Sequence, residues 1–142
     1  MTCISFIITC YNYAKYVSQS IDSCIRQSSA NIDFEIIVVD DGSSDGSVEK
    51  IVNHGAPIKF FQTSNLGLEK AFNVGLIESK GDYIVRVDAD DFLRLDFLQS
   101  VSEHFTSEFD ILYGNYTRLN DTTGCETDIT LPSYDVNEIL GR

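Results

Sequence analysis

Phe34-Glu35-Ile36-Ile37-Val38-Val39, followed at once by Asp40-Asp41-Gly42-Ser43-Ser44-Asp45, is the stretch on which the fold turns. Its first half is apolar almost throughout, as a strand covered on both faces should be, and such strands belong to parallel sheets flanked by helices. Its second half reads as a strand-to-helix turn. Gly42 supplies an unusual φ, and Ser44 or Asp45 supplies the N-cap of the helix that follows. That helix is expected over residues 47–52, with Val48, Ile51 and Val52 facing inward.

The same alternation runs outward in both directions. Residues 4–9 form a β-branched and aromatic run, residues 58–61 a shorter one, residues 83–87 a fourth, and Ile111-Leu112-Tyr113 begins a fifth. Between them lie amphipathic stretches. Residues 16–26 carry Val17, Ile21, Cys24 and Ile25 on one stripe, and residues 68–78 carry Leu68, Ala71, Phe72, Gly75 and Leu76. Residues 96–105 repeat the pattern with Phe97, Leu98, Val101 and Phe105, Asp96 being placed to cap them. Strands alternating with crossover helices mean βαβ units with right-handed connections. The fold class is therefore α/β, with helices on both sides of a mainly parallel sheet. The polar segment from about residue 120 to 142 shows no clear period, and the chain as a whole shows no repeat or linker.

Composition narrows the function. The chain has 142 residues, one ordinary domain, and 43% of them are hydrophobic, which argues against wholesale disorder. Twenty-two acidic residues against 10 basic ones leave a net charge of −12, which repels nucleic acid and anionic membrane. A phosphate-bearing small molecule remains compatible if a cation stands between the two negative groups. Cys3, Cys10, Cys24 and Cys125 form no CxxC pair and no metal-type spacing with His54 or His104. They read as reduced thiols, and with no bilayer-length apolar run and no basic leader segment the expected setting is cytoplasmic. Peripheral attachment to the inner face of the membrane is the variant of that expectation.

In an open parallel sheet, ligands bind beyond the carboxyl ends of the strands, so the residues following each strand matter most. Thr9-Cys10-Tyr11-Asn12 follows the first, Asp40 to Asp45 the second, Thr63-Ser64-Asn65-Leu66-Gly67 the third, and Asp88-Ala89-Asp90-Asp91 the fourth. Three acids in four residues make either a solvated turn or a cation site. Their place at a strand end favours the cation, and hard oxygen ligands favour Mg²⁺ or Mn²⁺. A turn needs one acid, so Asp40 and Asp41 together exceed what capping explains. A carboxylate there is able to accept from a ribose hydroxyl or a base N–H, and Tyr11 offers either an ordinary rim tyrosine or an aromatic face for the base.

Taken in order, Ser5 to Asn12, Val38 to Asp45, Asn65-Leu66-Gly67 with Ala71, Asn73 and Gly75, and Asp88-Ala89-Asp90-Asp91 closely resemble family 2 glycosyltransferases of the GT-A fold. The resemblance covers the chain to about residue 119 and implies a GT-A, Rossmann-like three-layer α/β/α sandwich. It implies that Thr9 and Tyr11 hold the nucleobase, and that Asp41, beside Asp40, contacts base or ribose. Asp88-Ala89-Asp90 is similar to the family's DxD motif, which implies Asp88 toward ribose and metal and Asp90 on the metal that bridges the donor diphosphate. Asn65 and Lys70 fall where the family lines the donor pocket. The activity implied is transfer of a sugar, mostly with inversion, from a nucleotide-diphosphate sugar to a saccharide or lipid-linked acceptor, as in polysaccharide biosynthesis. UDP-sugars are the commonest donors.

The chain departs from the family in one respect. Asp121, Glu126, Asp128, Asp135 and Glu138 lack the context of the family's general base, so no catalytic base is assigned. Residues 1–142 are accordingly expected to be a single donor-binding domain cut short of its acceptor half, with oligomerisation an open option if that leaves apolar surface uncovered. Three rival readings fare worse. A nucleotidyltransferase wants a glycine-rich basic loop after the first strand, a receiver-like Mg²⁺ module wants acids there, and a dinucleotide-binding domain wants GxGxxG. A non-catalytic nucleotide-sugar-binding module of the same descent remains the alternative.

Overall fold

The computed structural model describes residues 2–29, 31–102, 104–105 and 114–131. It divides into two compact units, Met1–Glu103 and His104–Arg142, where the sequence reading treats the chain as one domain. In the first unit, β1 (Thr2–Cys10), α1 (Val17–Ile25), β2 (Ile32–Asp40), α2 (Ser47–Val52), β3 (Ile58–Gln62), α3 (Leu68–Glu78), β4 (Tyr83–Asp88) and α4 (Phe97–Ser102) follow one another. The sheet order is β3-β2-β1-β4, and every pairing is parallel.

Handedness then fixes the layers. Right-handed crossovers from β1 to β2 and from β2 to β3 put α1 and α2 on one face. The return from β3 past β1 to β4 puts α3 on the other. The side chains agree. Ile7, Ile37 and Val39 form a buried cluster with Ala71 of α3, edged by Phe61, Phe72 and Val74. The alternate residues Ile4, Phe6, Ile8, Ile36 and Val38 point the opposite way and are buried, as are Val17, Ile21 and Cys24 of α1 and Ile51 of α2. Phe6 meets Phe34 edge-on at 5.5 Å and Phe97 at 6.5 Å between ring centres.

Gly75 sets how closely α3 approaches β1, because a Cβ there would run into the Cγ2 of Ile7. Alanine gains roughly 1 kcal/mol of helix propensity over glycine, but overpacking a filled core costs roughly 1–3 kcal/mol. Gly75→Ala is therefore expected to lower stability by about 1 kcal/mol net in urea unfolding, the packing term exceeding the propensity term.

Several local expectations are corrected. Val52 is 62% exposed, because a six-residue helix turns only Ser47 and Ile51 fully inward. Leu68 and Leu76 lie at the edge of α3's stripe, at 36% and 38% exposure. The N-cap position of α2 is Gly46, at φ +92°, with no side-chain cap. Asp45 nonetheless accepts the Ser47 N–H at 3.0 Å, one residue further out than a cap would sit. Helix α4 ends at Ser102, short of the expected residue 105, and the expected strand at residues 111–113 lies outside the described residues.

The second unit contains an antiparallel pair, β5 (Tyr116–Leu119), which follows the run expected to begin a fifth strand at residue 111, and β6 (Glu126–Ile129), which falls in the polar segment that shows no clear period. Its turn is closed by Asn120, whose Oδ1 accepts from the Thr122 and Thr123 amides, and by Gly124 at φ +67°. Seven of its eight strand residues are exposed, so no alternation of burial marked it in the sequence. All four cysteines are free thiols, and burial pushes Cys24 up to about 12. No described helix is long and apolar enough to cross a membrane.

Candidate functional site

Parallel pairing brings the carboxyl ends of all four strands to one rim. Thr9 stands opposite Val39 and Asp88, Cys10 opposite Asp40, and Asp40 opposite Gln62. The chain leaves β1 toward β2 on one side, and β4 lies on the other, so the point where strand order reverses falls between β1 and β4. In open α/β sheets this is where the ligand crevice forms. Across it Thr9 Oγ1 donates to Asp88 Oδ1 at 3.4 Å.

The loops of the first two strands are interlocked. Asn12, at φ +59°, donates its N–H to Ser43 Oγ at 2.8 Å and accepts the Ser44 N–H on Oδ1 at 2.9 Å. The Tyr13 N–H donates to Ser47 Oγ and the Ala14 N–H to Asp45 Oδ2. Asp40 is fully buried, and its carboxylate accepts the amides of Gly42 and Ser43 and the Ser43 hydroxyl.

Asp41 is also fully buried. Its Oδ1 accepts from the Thr63 hydroxyl at 2.5 Å and the Leu66 amide at 2.8 Å, and its Oδ2 from the Gly67 amide at 2.7 Å. Burial alone would raise its pKa. The three donors, aided by the charge of Lys70, outweigh burial and hold it below the usual carboxylate range. The loop after β3 thus hangs on Asp41 and carries Asn65, at φ +55°, whose Nδ2 donates to the Tyr11 hydroxyl at 3.3 Å. Gly42 sits at φ +81°, and a Cβ there would stand 3.0 Å from the Asn65 amide. The two carboxylates read as direct nucleotide contacts therefore brace the walls of the crevice, while Tyr11, Asn65 and Lys70 are exposed on them.

On the far side of the switch point, Asp88 is half exposed and lies 3.1 Å from both Nε and Nη2 of Arg86. Ala89 is buried, its amide donating to Thr9 O, and Asp90 projects outward. The Tyr13 hydroxyl hydrogen-bonds to Asp90, whose charge, with burial, raises the phenol's pKa. Asp91 is pushed up by burial and by the charges of Asp90 and Asp88. Carboxylates crowded in this way are relieved by a cation.

Among the described residues no three His, Cys, Asp or Glu side chains converge as a metal cage. A Mg²⁺-type ion is commonly held by only one or two carboxylates, with substrate phosphates and water completing the octahedron. The hard oxygens of Asp88 and Asp90 fit such a substrate-completed site.

Sequence reasoning missed two participants. Arg86 is the lone basic residue of β4, two residues before Asp88, and the two-residue strand period puts both on one face. Its guanidinium also lies 5.3 Å from the Phe72 ring centre. Tyr13 had no such signal, since its role depends on a residue 77 positions away meeting it in space.

Fold and rim together define a doubly wound α/β protein with its crevice at the β1–β4 switch point. Residues 5–132 match the model of glycosyl transferase family 2, and the chain belongs to that family. An uncharacterized glycosyltransferase of Haemophilus influenzae is 39% identical over 121 residues, covering 82% of this chain and 48% of that protein. Glycosyltransferase GlyA of Streptococcus pneumoniae is 34% identical over 125 residues, 85% of this chain and 18% of GlyA. The chain thus spans half or less of these relatives. Among solved structures, S. aureus TarS 1-349 in complex with UDP is similar at TM-score 0.61 and 27% identity, over 80% of this chain and 39% of that one. A mannosyltransferase of Pyrobaculum calidifontis in complex with GDP-Man and Mn²⁺ shares the fold at TM-score 0.68 and 21% identity, over 79% of this chain and 34% of its own.

Proposed function

We propose that this chain supplies the donor-binding part of a glycosyltransferase that moves a sugar from a nucleotide-diphosphate sugar to an acceptor hydroxyl. The observation that carries the reading is the convergence, on one rim, of Thr9, Tyr11 and Asn65 with the outward carboxylates of Asp88 and Asp90. One side of the crevice offers an aromatic ring and amide groups for a base. The other offers hard oxygens for a diphosphate-bound cation. Asp40 and Asp41 form the floor that fixes both loops, and Lys70 adds positive charge near the phosphates.

A divalent cation bound to Asp88 and Asp90, Mn²⁺ or Mg²⁺, supplies Lewis-acid stabilisation of the leaving diphosphate. The protein's own part is to orient the donor and to keep the two carboxylates facing it. Transfer with inversion, to a saccharide or lipid-linked acceptor, then calls on a general base outside the residues assigned here. UDP in the TarS structure supports a uridine donor, and the four free thiols fit a reducing cytoplasmic setting.

The test is calorimetric titration with UDP and GDP, each with and without Mn²⁺. Affinity that rises with the metal supports the reading, and absence of nucleotide binding under both conditions refutes it. Tyr11→Ala is expected to weaken metal-free UDP binding by roughly 10-fold, since stacking on an aromatic ring contributes about 1–3 kcal/mol per base. The metal-dependent gain should persist in that variant.

A further inference from the structure

Helix α1 packs against an apolar sheet, yet it buries a polar stripe: Ser20, Ser23 and, just beyond its end, Gln27 are 0%, 5% and 4% exposed. Spacings of three and four put them on one side of the helix. Each is partnered by the main chain of the segment that runs from Asp88 to α4. Ser20 Oγ donates to the Asp88 carbonyl at 3.3 Å. The Leu93 amide donates to Ser23 Oγ at 3.0 Å, and that hydroxyl donates in turn to the Ser20 carbonyl at 2.7 Å. Gln27 Nε2 donates to the Arg94 carbonyl at 2.8 Å and to the Ser23 carbonyl at 3.0 Å. The Leu98 amide donates to Gln27 Oε1 at 3.0 Å.

The clamped segment has no helix or strand of its own between Asp88 and Phe97. Its local hydrogen bonding includes a turn from the Asp91 amide to the Asp88 carbonyl and a contact from the Ala89 amide to the Thr9 carbonyl. Its path is therefore set largely by the stripe on α1. Apolar side chains of similar shape would leave the Leu93 and Leu98 amides and the Asp88 and Arg94 carbonyls without these partners, at roughly 1–3 kcal/mol for each buried group left unpaired. What buried, fully satisfied polar groups add is a single fixed geometry.

We infer that Ser20, Ser23 and Gln27 are positioning residues that hold the Asp88–Asp91 segment in the pose that receives the cation and diphosphate. They touch neither ligand. The inference rests on the donor-site reading given above. Partners that orient metal ligands from behind commonly change metal affinity 10–100-fold when removed, and the stripe acts in that manner on the carriers of Asp88 and Asp90.

The experiment titrates the intact chain with UDP, with and without Mn²⁺, and records thermal unfolding for each variant. Gln27→Met keeps the volume but leaves the Leu98 amide and the Arg94 carbonyl unpaired, and Ser23→Ala leaves the Leu93 amide unpaired. Both are expected to reduce the Mn²⁺-dependent gain in UDP affinity about 10-fold while metal-free affinity stays at the wild-type value. Ser23→Thr, which keeps a hydroxyl, should restore most of the gain. Glu35→Gln serves as the destabilised control. That carboxylate lies near the opposite rim, bonded to Ser5 Oγ, Lys59 Nζ and the Lys80 amide, so its loss should lower the unfolding temperature and leave the gain intact. If Gln27→Met and Ser23→Ala are destabilised yet keep the full gain, while Asp90→Asn loses it, the stripe is structural only and the inference falls. If Asp90→Asn also keeps the gain, the cation assignment itself is at fault.

Discussion

Asp90→Asn is expected to abolish the Mn²⁺-dependent part of nucleotide binding and to leave the metal-free part unchanged. The substitution is isosteric, so it removes charge with little change of shape. A single carboxylate at about 4 Å from a unit positive charge interacts by about 4 kcal/mol at an effective dielectric of 20. Resolvation of the free groups takes back a large share, which makes a loss of roughly 100-fold in the metal-dependent affinity the reasonable expectation. Stability should move the other way. Asp90 faces the charges of Asp88 and Asp91, and its charge helps to push Asp91 upward. Removing one of three like charges relieves that repulsion, so the unfolding temperature should hold or rise slightly. Weaker binding in a protein that is no less stable separates a ligand role from a folding role. Calorimetry with and without Mn²⁺, paired with a thermal melt, reads both.

The second large effect concerns folding. Asp41→Ala should lower stability by about 3 kcal/mol at neutral pH, since each buried donor left without an acceptor costs roughly 1–3 kcal/mol. Two amides and one hydroxyl, those of Leu66, Gly67 and Thr63, lose their acceptor together. Against a typical domain stability of about 5–15 kcal/mol, this is a large fraction. The deficit should also depend on pH in a defined direction. Burial works to raise the Asp41 pKa, but its donors and Lys70 bring it below the ordinary value. As pH falls, the unfolded chain takes up this proton before the folded protein does. The stabilisation is therefore complete above about pH 4, the ordinary aspartate value, and is lost as pH drops through the lower folded value. Urea unfolding should show wild type and Asp41→Ala converging below pH 4 and fully separated at pH 7. A gap that widens in acid would contradict the hydrogen-bonding assignment.

Much of this architecture is legible in the sequence because it rests on local pattern. The continuous apolar run of β2 announces a strand covered on both faces, and α3 spans Leu68–Glu78, the residues its three-and-four spacing marks. The acids at the ends of β2 and β4 are visible as departures from what a turn needs. The family resemblance, read to about residue 119, extends in the family match to residue 132. What stayed hidden depends on long-range pairing. Gln27 looks like any polar residue at a helix end until the Leu98 amide, 71 positions away, is found on its Oε1. The donors that hold Asp40 and Asp41, spread over the loops after β2 and β3, are hidden too, being separated from them in sequence or supplied by main chain. The β5–β6 pair escaped notice because exposed strands leave no alternation of hydrophobicity to read.

One property of Asp41 bears on how such crevices diversify. Two of its three partners are peptide N–H groups, which every residue except proline carries. The anchorage is thus blind to the identity of the side chains above it. Ser64 and Leu66, both pointing to solvent, are free to be exchanged across generations without unseating the loop, provided position 66 never becomes proline. A wall whose foundation ignores its facing is one on which donor preference can drift while the scaffold stays put.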